Sequence, residues 1–182
     1  MPGVGPRSAE RIALWMVRAR DDQPEQISRA IADTRQAIRP CKLCGFFAAG
    51  EICEICADSS RSTELLCVVE QPTDILPLEK TNAFRGRYHS LAGKISPLDH
   101  VGPEDLRIKE LLERVDREKI IEIIFALPAD VEGESTTNYI ADLLKNKPVN
   151  LTRIARGIPA GGGLESVDEL TLSAALSGRT KI

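Results

Sequence analysis

The sequence predicts an α/β protein: a mostly parallel sheet flanked by helices, carrying a small cysteine-rich lobe and an N-terminal helical region. Three observations lead there. From residue 63 onward, apolar runs such as Leu65-Leu66-Cys67-Val68-Val69 alternate with segments of helical period, and strands buried on both faces read as such runs. Four of the five cysteines fall in two Cys-x-x-Cys pairs. The first twenty residues hold Arg7, Arg11, Arg18 and Arg20 against Glu10 alone.

Size and charge bound the answer. With 182 residues, 42% hydrophobic and 28% charged, the chain is long enough to bury a core in one or two domains. Its net charge of −3 gives no general pull toward nucleic acid, so any such contact rests on a local patch like the arginine-rich start. The longest apolar run, Ile120 to Leu127, is broken by Glu122 and too short to span a bilayer. No charged-then-apolar leader precedes it, and reduced cysteines complete the expectation of a cytoplasmic protein that meets no membrane.

The start, Met1-Pro2-Gly3-Val4-Gly5-Pro6-Arg7, reads as a glycine turn entering a helix in which Ile12, Ala13, Met16 and Val17 recur at helical spacing. Glycines let backbone amides approach a phosphate at the positive end of the following helix, and Arg7 and Arg11, one turn apart, share a face there. This is the hairpin of a helix-hairpin-helix motif whose first helix is absent, the chain beginning inside the hairpin. A tail leading into a helix with solvated arginines fits the same residues. Gln26 to Arg39, with Ile27, Ala30, Ile31, Thr34 and Ile38 in register, predicts a second helix.

Cys41-x-x-Cys44-Gly45 and Cys53-x-x-Cys56 form two knuckles separated by a short loop. Two knuckles supply four sulfur ligands in a tetrahedron, which selects Zn²⁺ and leaves no open position for water or substrate. A disulfide framework belongs to small secreted chains and a redox motif needs one pair, so the spacing predicts a closed structural zinc site.

A polar linker, Asp58 to Ser62, precedes the α/β body. Predicted strands are Leu65 to Glu70, Tyr88 to Leu91, Ile120 to Ala126 and Leu151 to Ala155. Predicted helices begin at Ile75, at Pro103 with acids in its first turn, and at Thr136 after a loop from Leu127 to Ser135. Functional atoms of such sheets lie at the strands' carboxyl ends, where Glu70 and the group Asp130, Glu132 and Glu134 fall. Converging carboxylates suit Mg²⁺, but acids at element ends also cap N–H groups, and both readings stand on spacing alone. Cys67 is expected to be a small buried hydrophobe, and His89 and His100 structural residues. Gly161-Gly162-Gly163 lacks the Lys-Ser/Thr of a P-loop. Glu165 to Ser177 has helical or turn character.

In order along the chain, Pro2-Gly3-Val4-Gly5-Pro6-Arg7-Ser8-Ala9-Glu10-Arg11, the four-cysteine clasp, Phe84-Arg85-Gly86-Arg87-Tyr88-His89, Ile95-Ser96-Pro97-Leu98, Gly102-Pro103-Glu104-Asp105-Leu106, Val131-Glu132-Gly133-Glu134 and Asp168-Glu169-Leu170-Thr171-Leu172 resemble the bacterial RecR recombination mediator family. The resemblance implies a Toprim-like body at 63–150, a four-cysteine zinc finger at 40–58, a helix-hairpin-helix region at 1–39 and a C-terminal segment at 151–182. It further implies a non-catalytic DNA-repair protein, a ring-like homotetramer able to encircle duplex DNA. With RecO and RecF, such proteins help load RecA onto gapped single strands. By motif position Arg7 and Arg11 match DNA-contacting residues; Cys41, Cys44, Cys53 and Cys56 match zinc ligands. Glu70, Asp130, Glu132 and Glu134 match acids implicated in partner contact. Pro128 stands where a Toprim enzyme has its first aspartate. The alternative from the same fold is a Mg²⁺-dependent nickase, primase or topoisomerase.

Overall fold

The computed structural model describes residues 2–180; Met1 of the predicted hairpin and Lys181 and Ile182 of the predicted C-terminal segment lie outside the described residues. Two helices lead the chain. Helix α1 spans Pro6–Arg18 with proline in its first turn, where a missing N–H costs nothing, and α2 spans Gln23–Ala37. Neither buries a side chain, so Ile12, Leu14, Trp15, Val17, Ile27 and Ile31 stay exposed.

The lobe follows. Strands β1 (Arg39–Pro40) and β2 (Phe47–Ala48) pair antiparallel, and the short helix α3 (Glu54–Ala57) closes the unit.

The body starts with β3 (Leu65–Val69), then a 3-10 turn at Pro72–Asp74 running into α4 (Ile75–Lys80). Next come β4 (Arg87–Ser90), a 3-10 turn at Pro103–Asp105, α5 (Ile108–Glu118) and β5 (Glu122–Ala126). Helix α6 (Val131–Leu144), β6 (Asn150–Arg153), a 3-10 turn at Leu164–Ser166 and α7 (Glu169–Ser177) complete the chain. The four body strands form one sheet in the order β4-β3-β5-β6, every pair parallel, as the unbroken apolar strands predict.

Alternation along β3 divides the core. Leu66 and Val68 point with Ile123 and Phe125 toward Leu111 and Val115 of α5 and Ile140 and Leu144 of α6, all buried. Cys67 and Val69 point the other way with Tyr88, against Ile75 and Leu78 of α4 and against Phe46 and Ile55 of the lobe. The lobe thus forms part of the second covering layer. Each of these buried aliphatic side chains contributes about 2 kcal/mol.

Several predicted boundaries move. The helix expected from Pro103 is interrupted: Asp105 Oδ2 accepts from Gly102 N at 2.9 Å, closing the 3-10 turn, and Leu106 is extended before α5 begins at Ile108. The helix expected from Thr136 begins five residues earlier, because Asp130 caps it by accepting from Gly133 N at 2.7 Å. Gly133 is needed there: a Cβ would come within 2.2 Å of the Pro128 carbonyl oxygen. Strand β6 stops at Arg153, opposite Phe125 of β5, short of the expected Ala155.

Candidate metal centre, arginine helix and acid rim

The four paired cysteines converge. Their Sγ atoms all lie within 4.8 Å of one another and all four side chains are buried. The knuckles hold them by backbone: Phe46 N donates to Cys44 Sγ at 3.4 Å and Cys53 N to Cys41 Sγ at 3.3 Å. The loop closes with Cys41 N on Phe46 O and Gly45 N on Cys41 O, Gly45 adopting φ +78°. Hydrogen bonding with Cys53 and Cys56, together with burial, pushes the Cys44 thiol far above its ordinary range. Four buried sulfurs at this spacing are held as thiolates by a compensating cation, and a closed all-sulfur donor set fits Zn²⁺. Cys41, Cys44, Cys53 and Cys56 would hold it, and it would supply fold rather than reactivity.

The lobe is latched to the body. Ser90 N, at the end of β4, donates to Cys44 O at 2.8 Å. Arg107 reaches across from the residue before α5 and donates to Cys41 O at 3.4 Å and Lys42 O at 3.1 Å. A Cβ at Gly45 would strike this guanidinium, 2.4 Å from Nη1, so the glycine serves both the knuckle and the latch. Sequence reasoning missed Arg107, since nothing local marks an arginine 66 residues from its acceptor. His89, expected to be structural, is fully buried with Nε2 2.8 Å from Arg107 O, and burial holds its pKa down to about 3, hence neutral.

Arg7 and Arg11 lie on the first two turns of α1, exposed and four residues apart. Gly3 at φ +77° makes the turn before the helix, and Gly5 occupies the N-cap with no side chain capping the first amides. No acid stands in that first turn, so the positive end of the helix dipole and both arginines face solvent together. Arg11 lines an open groove with Ser8, Ile12 and Trp15.

Of the acids at the sheet's carboxyl end, Asp130, Glu132 and Glu134 each carry a basic partner. Lys94 lies between Asp130 and Glu132, bonded to Asp130 Oδ2 and 3.1 Å from Glu132 Oε2. Glu134 turns away to Arg153, at 3.0 Å, and Arg156. Glu70 lines a cleft of about 460 Å³ with Asp74, Pro128, Ile154 and Arg156. The convergence on a divalent cation that spacing allowed is not what these carboxylates make; among the described residues, only the cysteines form a cluster of metal-ligating geometry. Tyr139 is an exposed residue of α6, and Tyr88 is buried, donating to Glu79 Oε1 at 2.7 Å. Among the described residues no helix is long and apolar enough to cross a membrane.

Comparison with known proteins agrees part by part. Residues 1–35 match the RecR helix-hairpin-helix family, 38–58 the RecR zinc finger domain of the four-cysteine type, 64–155 the Toprim domain and 157–180 the RecR C-terminal family. The chain is 47% identical to "Recombination protein RecR" of Acidothermus cellulolyticus, over 100% of this chain and 92% of that one. It is 46% identical to the same-named protein of Pelotomaculum thermopropionicum (100% and 91%) and 48% to that of Syntrophobacter fumaroxidans (98% and 89%). A sulfur cage, an arginine-bearing helical start and a parallel Toprim sheet, matched in this order at such identity, place the chain in the RecR family of recombination proteins, with a zinc-binding four-cysteine finger.

Proposed function

We propose that this protein is a DNA-binding recombination mediator in DNA repair that grips nucleic acid without doing bond chemistry on it. The observation that carries the reading is the start of α1, where uncapped amides, the helix dipole, Arg7 and Arg11 share one exposed surface. Its relatives bear the name recombination protein, which supports a role in recombinational repair. In this reading residues 1–39 contact duplex and gapped DNA, 40–58 bind zinc, 63–150 form the Toprim platform and 151–182 a C-terminal segment. Glu70, Asp130, Glu132 and Glu134 receive partner proteins, RecO and RecF, so that RecA is loaded onto gapped single strands in the cytoplasm. The apolar residues that α1 and α2 leave exposed support assembly with further copies of the chain, in the family's tetrameric ring.

Phosphate contacts carry no base information, so binding is expected to be sequence-independent and salt-sensitive. Replacing Arg7 and Arg11 together by alanine is expected to reduce the slope of log K against log salt by about 2, since each phosphate contact contributes about 0.9. An unchanged slope in a titration of fluorescent duplex against the double variant would place DNA binding elsewhere.

A further inference from the structure

We propose that Arg107 is a positioning residue for the zinc site, a clamp reaching from the body that sets how tightly the lobe holds its metal. Three carbonyls of the first knuckle are held from outside the lobe. Arg107 Nη1 donates to Cys41 O at 3.4 Å and Nη2 to Lys42 O at 3.1 Å, while Ser90 N donates to Cys44 O at 2.8 Å. Cys41 O also accepts from Gly45 N at 2.9 Å, so the guanidinium meets the same carbonyl that closes the knuckle. A knuckle fixed at these peptides keeps Cys41 and Cys44 aimed at one point before metal arrives, and pre-organisation of that kind raises affinity.

Charge works in the same direction. Four thiolates around Zn²⁺ carry two net negative charges, and a buried anion is stabilised by a cation held close to it. Lys42, inside the knuckle, is engaged by Glu51 at 2.5 Å, with both side chains well exposed. Arg107 differs: its side chain is 19% exposed, and its ion pair with Glu110 is 3.7 Å long and half in water, which leaves most of the positive charge to the lobe. The backbone of Arg107 is itself fixed by β4 and the residue after it. Arg107 N donates to Leu91 O at 3.0 Å, and Arg107 O accepts from the buried His89 Nε2 at 2.8 Å. Because a carbonyl only accepts, Nε2 carries the imidazole proton. The sheet thus holds the arginine, and the arginine holds the knuckle.

Competition of the zinc-loaded full chain against a chromogenic zinc chelator at fixed pH tests this. Arg107→Ala is expected to hold zinc at least about tenfold more weakly, the scale on which residues supporting metal ligands act. Arg107→Lys keeps the cation but cannot span two carbonyls, so it should also lose affinity, by less than alanine does. Val115→Ala opens a cavity in the α5–α6 core, across the sheet from Phe46 and Ile55, and weakens the body without touching the knuckle. It should hold zinc like the parent. Wild-type affinity in either Arg107 variant would overturn the proposal. So would an equal loss in Val115→Ala, which would trace the weakening to general destabilisation of the body.

Discussion

The sulfur cage and the acid rim are both gatherings of anionic side chains, and they solve the same electrostatic problem in opposite ways. In the cage, four buried sulfurs lie within 4.8 Å of one another, hydrogen bonding among them pushing the Cys44 thiol up and pulling Cys53 down, and the balance comes from an imported ion. At the rim, three of the four acids are matched by bases from elsewhere in the chain: Asp130 and Glu132 by Lys94, Glu134 by Arg153 and Arg156. Burial decides between them. A dry cluster must bind metal or protonate, while half-solvated carboxylates are satisfied by one flexible ammonium. One region depends on its surroundings for its fold; the other carries its counter-charges with it.

The strongest way to break this contrast is to remove the imported ion. Chelation, or Cys53→Ser, is expected to withdraw on the order of 10 kcal/mol from lobe folding, read as zinc release and loss of amide protection over residues 41–56. Retained protection in metal-free protein would show that the lobe needs no cation.

An intermediate effect is expected inside the body, where the chain supplies its own pairing. Arg114, 1% exposed, donates to Tyr88 O at 2.6 Å and to Glu118 at 3.0 Å, with Arg87 and Arg117 also beside that carboxylate. Glu118→Ala leaves a buried guanidinium without its counter-charge and should cost about 3 kcal/mol in denaturant unfolding, whereas the same change at exposed Glu113 should cost little.

Acid sharpens the comparison further. Burial pulls the Glu79 carboxyl upward, but the Arg61 guanidinium and Tyr88 hydroxyl outweigh it and hold it below the ordinary 4.5. A carboxyl whose folded pKa is depressed stabilises fully above its unfolded value and loses that contribution as pH falls through the folded one. Stability should therefore decline as pH drops below about 4.5, and Glu79→Gln, costing about 1.5 kcal/mol at neutral pH, should flatten that decline in urea melts. The smallest change in stability, within about 0.5 kcal/mol, is expected for Arg7→Ala with Arg11→Ala, both exposed on α1.

What the residues disclosed, and what they withheld, follows the same division. The four strands were legible because unbroken apolar runs admit few alternatives, and the cage because two knuckles at short spacing already bring four sulfurs together. Arg7 and Arg11 were legible as a helix face, since spacing of four fixes it. The start of α6 was misread because Glu132, Gly133 and Glu134 resemble a loop. Asp130 as cap, followed by acids in a first turn, was nevertheless the available signal. Lys94 and Arg107 were invisible, since their partners lie 36 and 66 residues away and are brought near only by the crossover between β4 and α5.

Phe46 and Ile55 belong to the lobe yet roof the sheet over Val69 and Tyr88. Metal supply and quality control are thereby joined in one surface. A chain synthesised under zinc starvation would leave that roof unlaid, displaying greasy strand to proteases and chaperones, so cellular abundance of the protein should track zinc even though the closed sulfur site gives the metal no open position.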